Sequence, residues 1–304
     1  MSDLPGTEAV DPSSAHLDRL PTLDVLRLMN DADATVAGVV REVLPAIAQA
    51  VEAVVERLRQ GGRLVYAGAG TSGRLAALDA AECVPTFGVP PTLVTALVAG
   101  GEPALVRAVE GAEDDMEQAR RDVAGAGLGP GDVLVGVAAS GGTPYVLAAV
   151  EEARARGALT IAISNSRPAP LLAMADYCVA LPTGPEVLAG STRLKAGTAQ
   201  KMVLNMLTTA SMVRLGRVHG NRMIDVAVTN RKLRARAIGM VADLVGCDAE
   251  RAAGLLEAAG DEVKTAVLMG MAGLDPTAAR ARLAVAGGIL RDALETRARA
   301  ADVP

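Results

Sequence analysis

The sequence predicts an α/β protein: a five-stranded parallel sheet as the middle of three layers, helix–sheet–helix, followed by a small all-helical C-terminal module. Three observations predict it. After Gly61-Gly62 come five short apolar runs, Leu64–Ala67, Leu93–Val98, Val133–Val137, Leu159–Ile163 and Cys178–Leu181, most of them beside glycine or proline. None alternates regularly with polar residues, which is how strands buried on both faces read. Helical stretches lie between most of them, around Leu75–Ala81, Ala104–Ala124 and Tyr145–Arg156, so successive β-helix-β units with right-handed crossovers are expected. Beyond Gly190 the chain reads as mostly helical.

The remaining elements follow in chain order. Residues 1–19 lack periodicity and contain two prolines, so an extended arm is expected. From Leu23 to about Gln60 apolar residues recur at spacings of three and four (Leu23, Leu26, Val36, Val39, Val40, Val43), which predicts two helices with breaks near Asn30-Asp31 or Pro45. After the sheet a long helix is expected from about Ser191 to Leu215. Shorter ones follow at Val228–Leu244, Ala249–Ala258, Val263–Met271 and Pro276–Ala284, joined by glycine- and aspartate-bearing turns. The expected organisation is N-terminal arm and helices over 1–50, the sheet domain over 51–224 and the helical module over 225–304.

Composition narrows the function. Half of the 304 residues are apolar, enough for a substantial core, but with no Trp, three Tyr and one Phe that core must be aliphatic. A net charge of −5 with scattered Lys and Arg and no stacking platform argues against nucleic acid as a partner. Any anionic ligand must then be held by local cations and backbone dipoles. Cys83, Cys178 and Cys247 are odd in number and widely spaced, giving neither a disulfide framework nor a zinc pattern. His16 and His219 lack metal-ligand company. No leader-like or membrane-spanning apolar run is present, and a cytoplasmic location is expected.

Three loops carry the chemistry. The first, Gly68-Ala-Gly-Thr-Ser-Gly73, follows a strand and opens a helix. It satisfies G-x-G-x-x-G, but the second strand ends Val98-Ala-Gly-Gly101 without the acidic residue a dinucleotide ribose needs. Gly70, Thr71 and Ser72 suit a compact phosphate at a helix N-terminus better. The second loop, Ala138-Ala-Ser-Gly-Gly-Thr-Pro144, repeats the device after the third strand, with Ser140, Gly141 and Thr143 placed where N–H groups are free. It lacks the Lys-Ser/Thr ending of a P-loop. The third runs from Gly184 to Lys201. It offers Glu186 in a glycine-rich approach, Ser191 and Thr192 at the expected helix start, and Arg193, Lys195 and Lys201 as cations for an anionic substrate. Helix capping and ordinary surface charge are the plain alternatives for these residues.

These residues together resemble a known group. The hydroxyl loops on a parallel sheet look like a sugar isomerase (SIS) domain, and the third segment resembles the signature shared by N-acetylmuramic acid 6-phosphate etherases and the glucokinase regulatory protein. Ala81-Glu-Cys-Val-Pro-Thr-Phe-Gly88 and Val109-Glu-Gly-Ala-Glu-Asp114 look like the two etherase acid segments. The likeness spans roughly residues 6 to 300, including Val218-His-Gly-Asn-Arg-Met-Ile-Asp225. One departure stands out: the second loop reads Ser140-Gly-Gly-Thr-Pro144 where the family commonly carries Ser-Gly-Arg-Thr-Pro.

The resemblance implies cleavage of a lactyl ether on a phosphorylated amino sugar, with a small-molecule sugar phosphate and a second copy of the chain as partners. It implies no metal or organic cofactor. It matches Glu82 to the proton donor and Glu113 to the second active-site glutamate. Chemically, two carboxylates suffice for an elimination, one as acid and one as base, and either order is open. Thr71, Ser72, Ser140 and Thr143 are expected at the phosphate, Glu186 and Ser191 near the sugar. A non-catalytic sugar-phosphate sensor is the alternative from another class.

Overall fold

The computed structural model describes residues 6–226, 228 and 230–301. The chain divides into two compact units. One runs to Ala81 and resumes over Pro91–Thr209; the other is made of Glu82–Pro90 and the chain from Ala210 onward. No single helix among the described residues is long and apolar enough to cross a membrane.

The extended arm expected over 1–19 falls partly outside the described residues, at 1–5; from residue 6 onward the chain instead forms three short 3-10 turns, Gly6–Glu8, Pro12–Ser14 and Leu17–Arg19, and Thr7 is fully buried. The Asp11 carboxylate closes the second turn by accepting from Ser13 Oγ at 2.7 Å and Ser13 N at 2.9 Å. Three helices follow where two are expected: α1 (Thr22–Ala34), α2 (Val36–Glu42) and α3 (Leu44–Arg59). The chain runs helically through Asn30-Asp31 and breaks at Thr35 and at Val43. Pro45 sits in the first turn of α3, where a missing N–H costs no helical bond.

Then come β1 (Leu64–Gly68), α4 (Gly70–Phe87), β2 (Val94–Val98), α5 (Pro103–Val106), α6 (Met116–Gly125), β3 (Val133–Ala138), α7 (Pro144–Ala155), β4 (Leu159–Ser164), α8 (Pro170–Met174), β5 (Tyr177–Ala180) and α9 (Lys195–Arg214). All five strands are parallel, in the order β2-β1-β3-β4-β5, with Leu64 opposite both Val94 and Val133. The strand runs predicted from sequence are therefore present to within a residue or so. The single helix expected over 104–124 is instead α5 and α6. Gly111 turns the chain in the left-handed region at φ +71°, and Asp115 starts α6 afresh by accepting from Gln118 N at 2.8 Å.

Strand alternation divides the core. Val65 and Ala67 of β1 join Leu134, Val146, Ala149 and Leu171 in one buried cluster; each fully buried branched side chain contributes about 1.5–3 kcal/mol. Tyr66, between them, faces the other way. Its hydroxyl donates to Asp79 Oδ2 at 2.8 Å, and Asp79 Oδ1 accepts from Asn205 Nδ2 at 2.6 Å and Thr208 Oγ1 at 3.1 Å. One buried carboxylate thus ties β1, α4 and α9 together. At the opposite edge Arg63 donates from N, Nε and Nη2 to Asp132, which also accepts from Gly129 N. Burial alone would raise the Asp132 carboxyl, but these donors outweigh it and hold the group below the usual carboxylate range.

The topology already marks a place for ligands. β1 lies between β2 and β3, so connections leave it toward opposite sides of the sheet and a crevice opens at its carboxyl end.

The second unit contains a two-stranded antiparallel hairpin, β6 (Val218–His219) and β7 (Arg222–Met223), that the sequence pattern does not announce. Five helices follow: α10 (Arg231–Val245), α11 (Ala249–Ala258), α12 (Val263–Ala272), α13 (Pro276–Val285) and α14 (Leu290–Ala301). Four match expectation; the fifth is additional. Asn230, Asp248 and Asp275 cap α10, α11 and α13 through their side-chain oxygens. Ile224, Val241, Leu256, Val267 and Leu268 build the core.

Within this unit the Glu82–Pro90 segment has a fixed mooring. Gly88 sits at φ +60°, and a Cβ there would come 1.9 Å from the Asp225 carbonyl oxygen. The Asp225 carboxylate accepts from Lys264 Nζ at 2.6 Å and Arg217 Nη1 at 3.1 Å, and Lys264 also donates to the Gly288 carbonyl at 2.8 Å.

Candidate active site

The first unit holds a cavity of about 940 Å³ at the carboxyl edge of the sheet. Its floor is two helix starts. At α4, Gly70, Thr71 and Ser72 line the cavity. The first-turn N–H groups of an α-helix have no intrahelical acceptor. In this 18-residue helix they also carry the positive end of the dipole. The turn is set by a close approach: a Cβ on Gly73 would lie 2.7 Å from Gly68 O, and one on Gly68 would lie 2.7 Å from Gly73 N. The glycines at the two ends of the motif are thus packing requirements, and the residues between them face the ligand space.

At α7, Ser140, Gly142, Thr143 and Pro144 line the same cavity. Thr143 stands at the N-cap position without a side-chain capping bond. Ser140 Oγ accepts from Gly142 N at 3.2 Å. Gly141 is buried behind them, and its carbonyl accepts from Leu171 N at 2.9 Å. The next residue, Tyr145, fixes the start of α7 by donating to Asp122 Oδ2 at 2.6 Å. Burial, and then that neighbouring carboxylate, push the Tyr145 phenol above its ordinary range.

Around this floor stand four charged residues: Glu8, Glu113, Asp114 and Arg167. Glu113 and Asp114 belong to the 3-10 turn Ala112–Asp114 and are exposed. Glu8 comes from the first N-terminal turn, and Gly190 approaches its Oε2. Glu8 and Arg167 are not among the residues that the sequence motifs single out. Arg167 had a usable signal, since it follows a buried strand at the edge where ligands bind; Glu8 had none.

The third predicted loop is arranged differently. Gly190 and Thr192 line the cavity, but Ser191 between them does not. The helix begins at Lys195 rather than at Ser191, because Glu186 closes it. This carboxylate is fully buried and accepts from Lys195 N at 3.0 Å and Ala196 N at 2.9 Å. Lys195 is itself buried, Arg193 is exposed, and neither lines the cavity. Glu82 is an exposed residue of α4, in the second unit.

Comparison with known proteins bears on the fold and the family. The profile for the glucokinase regulatory protein N-terminal SIS domain matches residues 46–154, that for the SIS domain matches 114–210, and that for the C-terminal lid domain of glucokinase regulatory protein matches 220–268. Among solved structures, a phosphoheptose isomerase from Francisella tularensis superposes with a TM-score of 0.50 at 23% identity, covering 64% of this chain and all of that one. The fold and the hydroxyl-floored cavity therefore define a protein of the SIS class. More specifically, the chain is 51% identical to the N-acetylmuramic acid 6-phosphate etherase of Cutibacterium acnes over 97% of each chain. It is 54% identical to that of Streptomyces avermitilis, over 95% of this chain and 93% of the relative. The chain belongs to the N-acetylmuramic acid 6-phosphate etherase family.

Proposed function

We propose that this chain cleaves the D-lactyl ether of N-acetylmuramic acid 6-phosphate, giving N-acetylglucosamine 6-phosphate and D-lactate, in the recycling of cell-wall amino sugars. The observation that carries the reading is a carboxylate, Glu113, at the rim of a cavity floored by two hydroxyl-bearing helix N-termini. Such a floor suits a phosphate.

The chemistry is an elimination followed by hydration. Opening of the sugar ring exposes an aldehyde at C1, which acidifies the proton on C2. A base takes that proton, the C3–O bond breaks, and an acid protonates the departing lactate oxygen. Water then adds across the C2–C3 double bond of the unsaturated aldehyde, hydroxyl to C3 and proton to C2, and the ring closes. Water is the only co-reactant. Thr71, Ser72, Ser140 and Thr143, with the N–H groups beside them, hold the phosphate. Glu82 is the acid to the lactate oxygen and Glu113 the base or water activator. A sensor has no need of this pair, so the enzyme reading is preferred.

Glu82 does not line the cavity; in this reading the protein is a homodimer and a second copy of the chain supplies Glu82 to the site. Helix α1 offers a face for that contact: it has no buried residue, and Leu23 and Leu26 are each 56% exposed.

D-Lactate release from the substrate, without added metal or nucleotide, tests the function. Glu82→Ala and Glu113→Ala should each lower the rate by about 10²–10⁴, the usual yield of a positioned acid or base. Glu82→Ala should still exchange the C2 proton with solvent deuterium; loss of exchange would reverse the assignment. Mixing the two inactive variants, after dissociation and reassociation, should restore up to about a quarter of wild-type activity if the sites are shared. No recovery from a mixture shown to contain heterodimers would refute the sharing.

A further inference from the structure

The loops at the carboxyl edge follow the strand order. Glu113 comes after β2, Thr71-Ser72 after β1, Ser140–Thr143 after β3 and Arg167 after β4. Neighbouring strands lie about 4.8 Å apart. Arg167 is thus beside the α7 loop and at the far end of the cavity from Glu113.

Two features set Arg167 apart. It is the only cation among the described residues that line the cavity, where Glu8, Glu113 and Asp114 contribute three carboxylates. A sugar phosphate brings a further charge of about −1.5 to −2, and neutral hydroxyl and N–H donors alone leave that charge unbalanced. Further, its backbone is anchored while its head is free. Ser166, the residue before it, is buried; Ser166 N donates to Ser164 Oγ at 3.2 Å, Ser164 Oγ donates to Ser166 O at 3.2 Å, and Thr7 Oγ1 lies 3.4 Å from Ser166 Oγ. The Arg167 side chain is exposed and makes no hydrogen bond or ion pair with any described residue. A planar guanidinium on a fixed root with all its donors unspent is suited to bidentate pairing with a phosphate.

We infer that Arg167 is a phosphate ligand of this site, pairing with the anion that the Ser140–Thr143 loop holds from the neighbouring strand. The inference rests on the reading that a sugar phosphate occupies this cavity, and it adds a binding residue to that reading.

The test uses the full-length protein, wild type and Arg167→Gln and Arg167→Lys, with N-acetylglucosamine 6-phosphate as the probe, because that product carries a phosphate and no lactyl carboxylate. Binding by the wild type establishes the cavity reading independently. Arg167→Gln should then weaken the product by roughly 10–100-fold, the range for losing hydrogen bonds to a charged group, and raise the KM for the ether substrate to a similar degree. Arg167→Lys should recover part of the loss, and added salt should weaken the wild type more than Arg167→Gln. Unchanged product binding in Arg167→Gln would overturn the assignment. If KM for the ether alone rose, the guanidinium would belong to the lactyl carboxylate; if only kcat fell, it would not be a binding residue. Thermal unfolding of both variants checks that they are folded, as an exposed, unpartnered side chain leads one to expect.

Discussion

The start of α4 lines a cavity with its first-turn residues and the start of α7 presents the Ser140 and Thr143 loop to the same cavity, whereas the start of α9 is closed by a carboxylate from its own chain. In sequence the three segments are alike: glycine, a hydroxyl pair, then a helix. The difference lies nine residues upstream of α9, where Glu186 is buried and accepts from Lys195 N and Ala196 N. At α7 the N-cap Thr143 makes no such bond. A helix N-terminus is thus available to a ligand only where the protein has not already supplied the anion, and this is decided by a residue outside the local motif.

The sharpest way to break this contrast is Glu186→Ala. Leaving two buried N–H groups unpaired should cost about 2–4 kcal/mol in urea unfolding; if stability held and the KM for substrate rose, Glu186 would be a sugar ligand after all. Next, Ser140→Ala and Thr71→Val should each raise the KM for the ether by about 5–30-fold; Thr71→Val should change stability by under about 0.5 kcal/mol, and Ser140→Ala, which also gives up the bond from Gly142 N, by about 1 kcal/mol or less. A stability loss without a KM effect would make them ordinary turn residues. A smaller effect separates working caps from open ones: Asp275→Ala should cost about 1 kcal/mol, and Thr143→Ala clearly less. Equal losses would remove the distinction.

Acid gives the finest test of a carboxylate used internally. Asp132, like Glu186, is paired within the protein, and its folded-state pKa is lowered. Its stabilisation is therefore fully present above the unfolded value of about 3.9 and is lost as pH falls through the lower folded value. In Asp132→Asn, unfolding free energy should depend less steeply on pH below about 4, by at most about 1.4 kcal/mol per pH unit for one proton. An unaltered slope would show that the pairing carries no such linkage.

Much of the fold was legible because parallel strands buried on both faces leave continuous apolar runs, and all five were readable as such. The hydroxyl loops at Thr71-Ser72 and Ser140–Thr143 were legible for the same reason, being attached to those strands. Other features were hidden by non-local causes. Gly111 and Asp115 split a stretch whose composition reads as one helix. Glu186 looked like a ligand residue, because nothing in its neighbourhood shows that it will fold back onto a helix start. Glu8 reaches the cavity through a turn rooted by buried Thr7, with no periodicity to announce it.

The mooring of Glu82–Pro90 bears on recombination. Gly88 fits against the Asp225 carbonyl, and Asp225 is fixed by Arg217 and Lys264. A chimera that exchanges the chain after Thr209 with a relative's would separate nine residues from the unit that shapes them, including the proposed acid. Crossovers that preserve the ancestry of this unit must move Glu82–Pro90 together with the chain from Ala210, as two non-contiguous blocks of one inheritance.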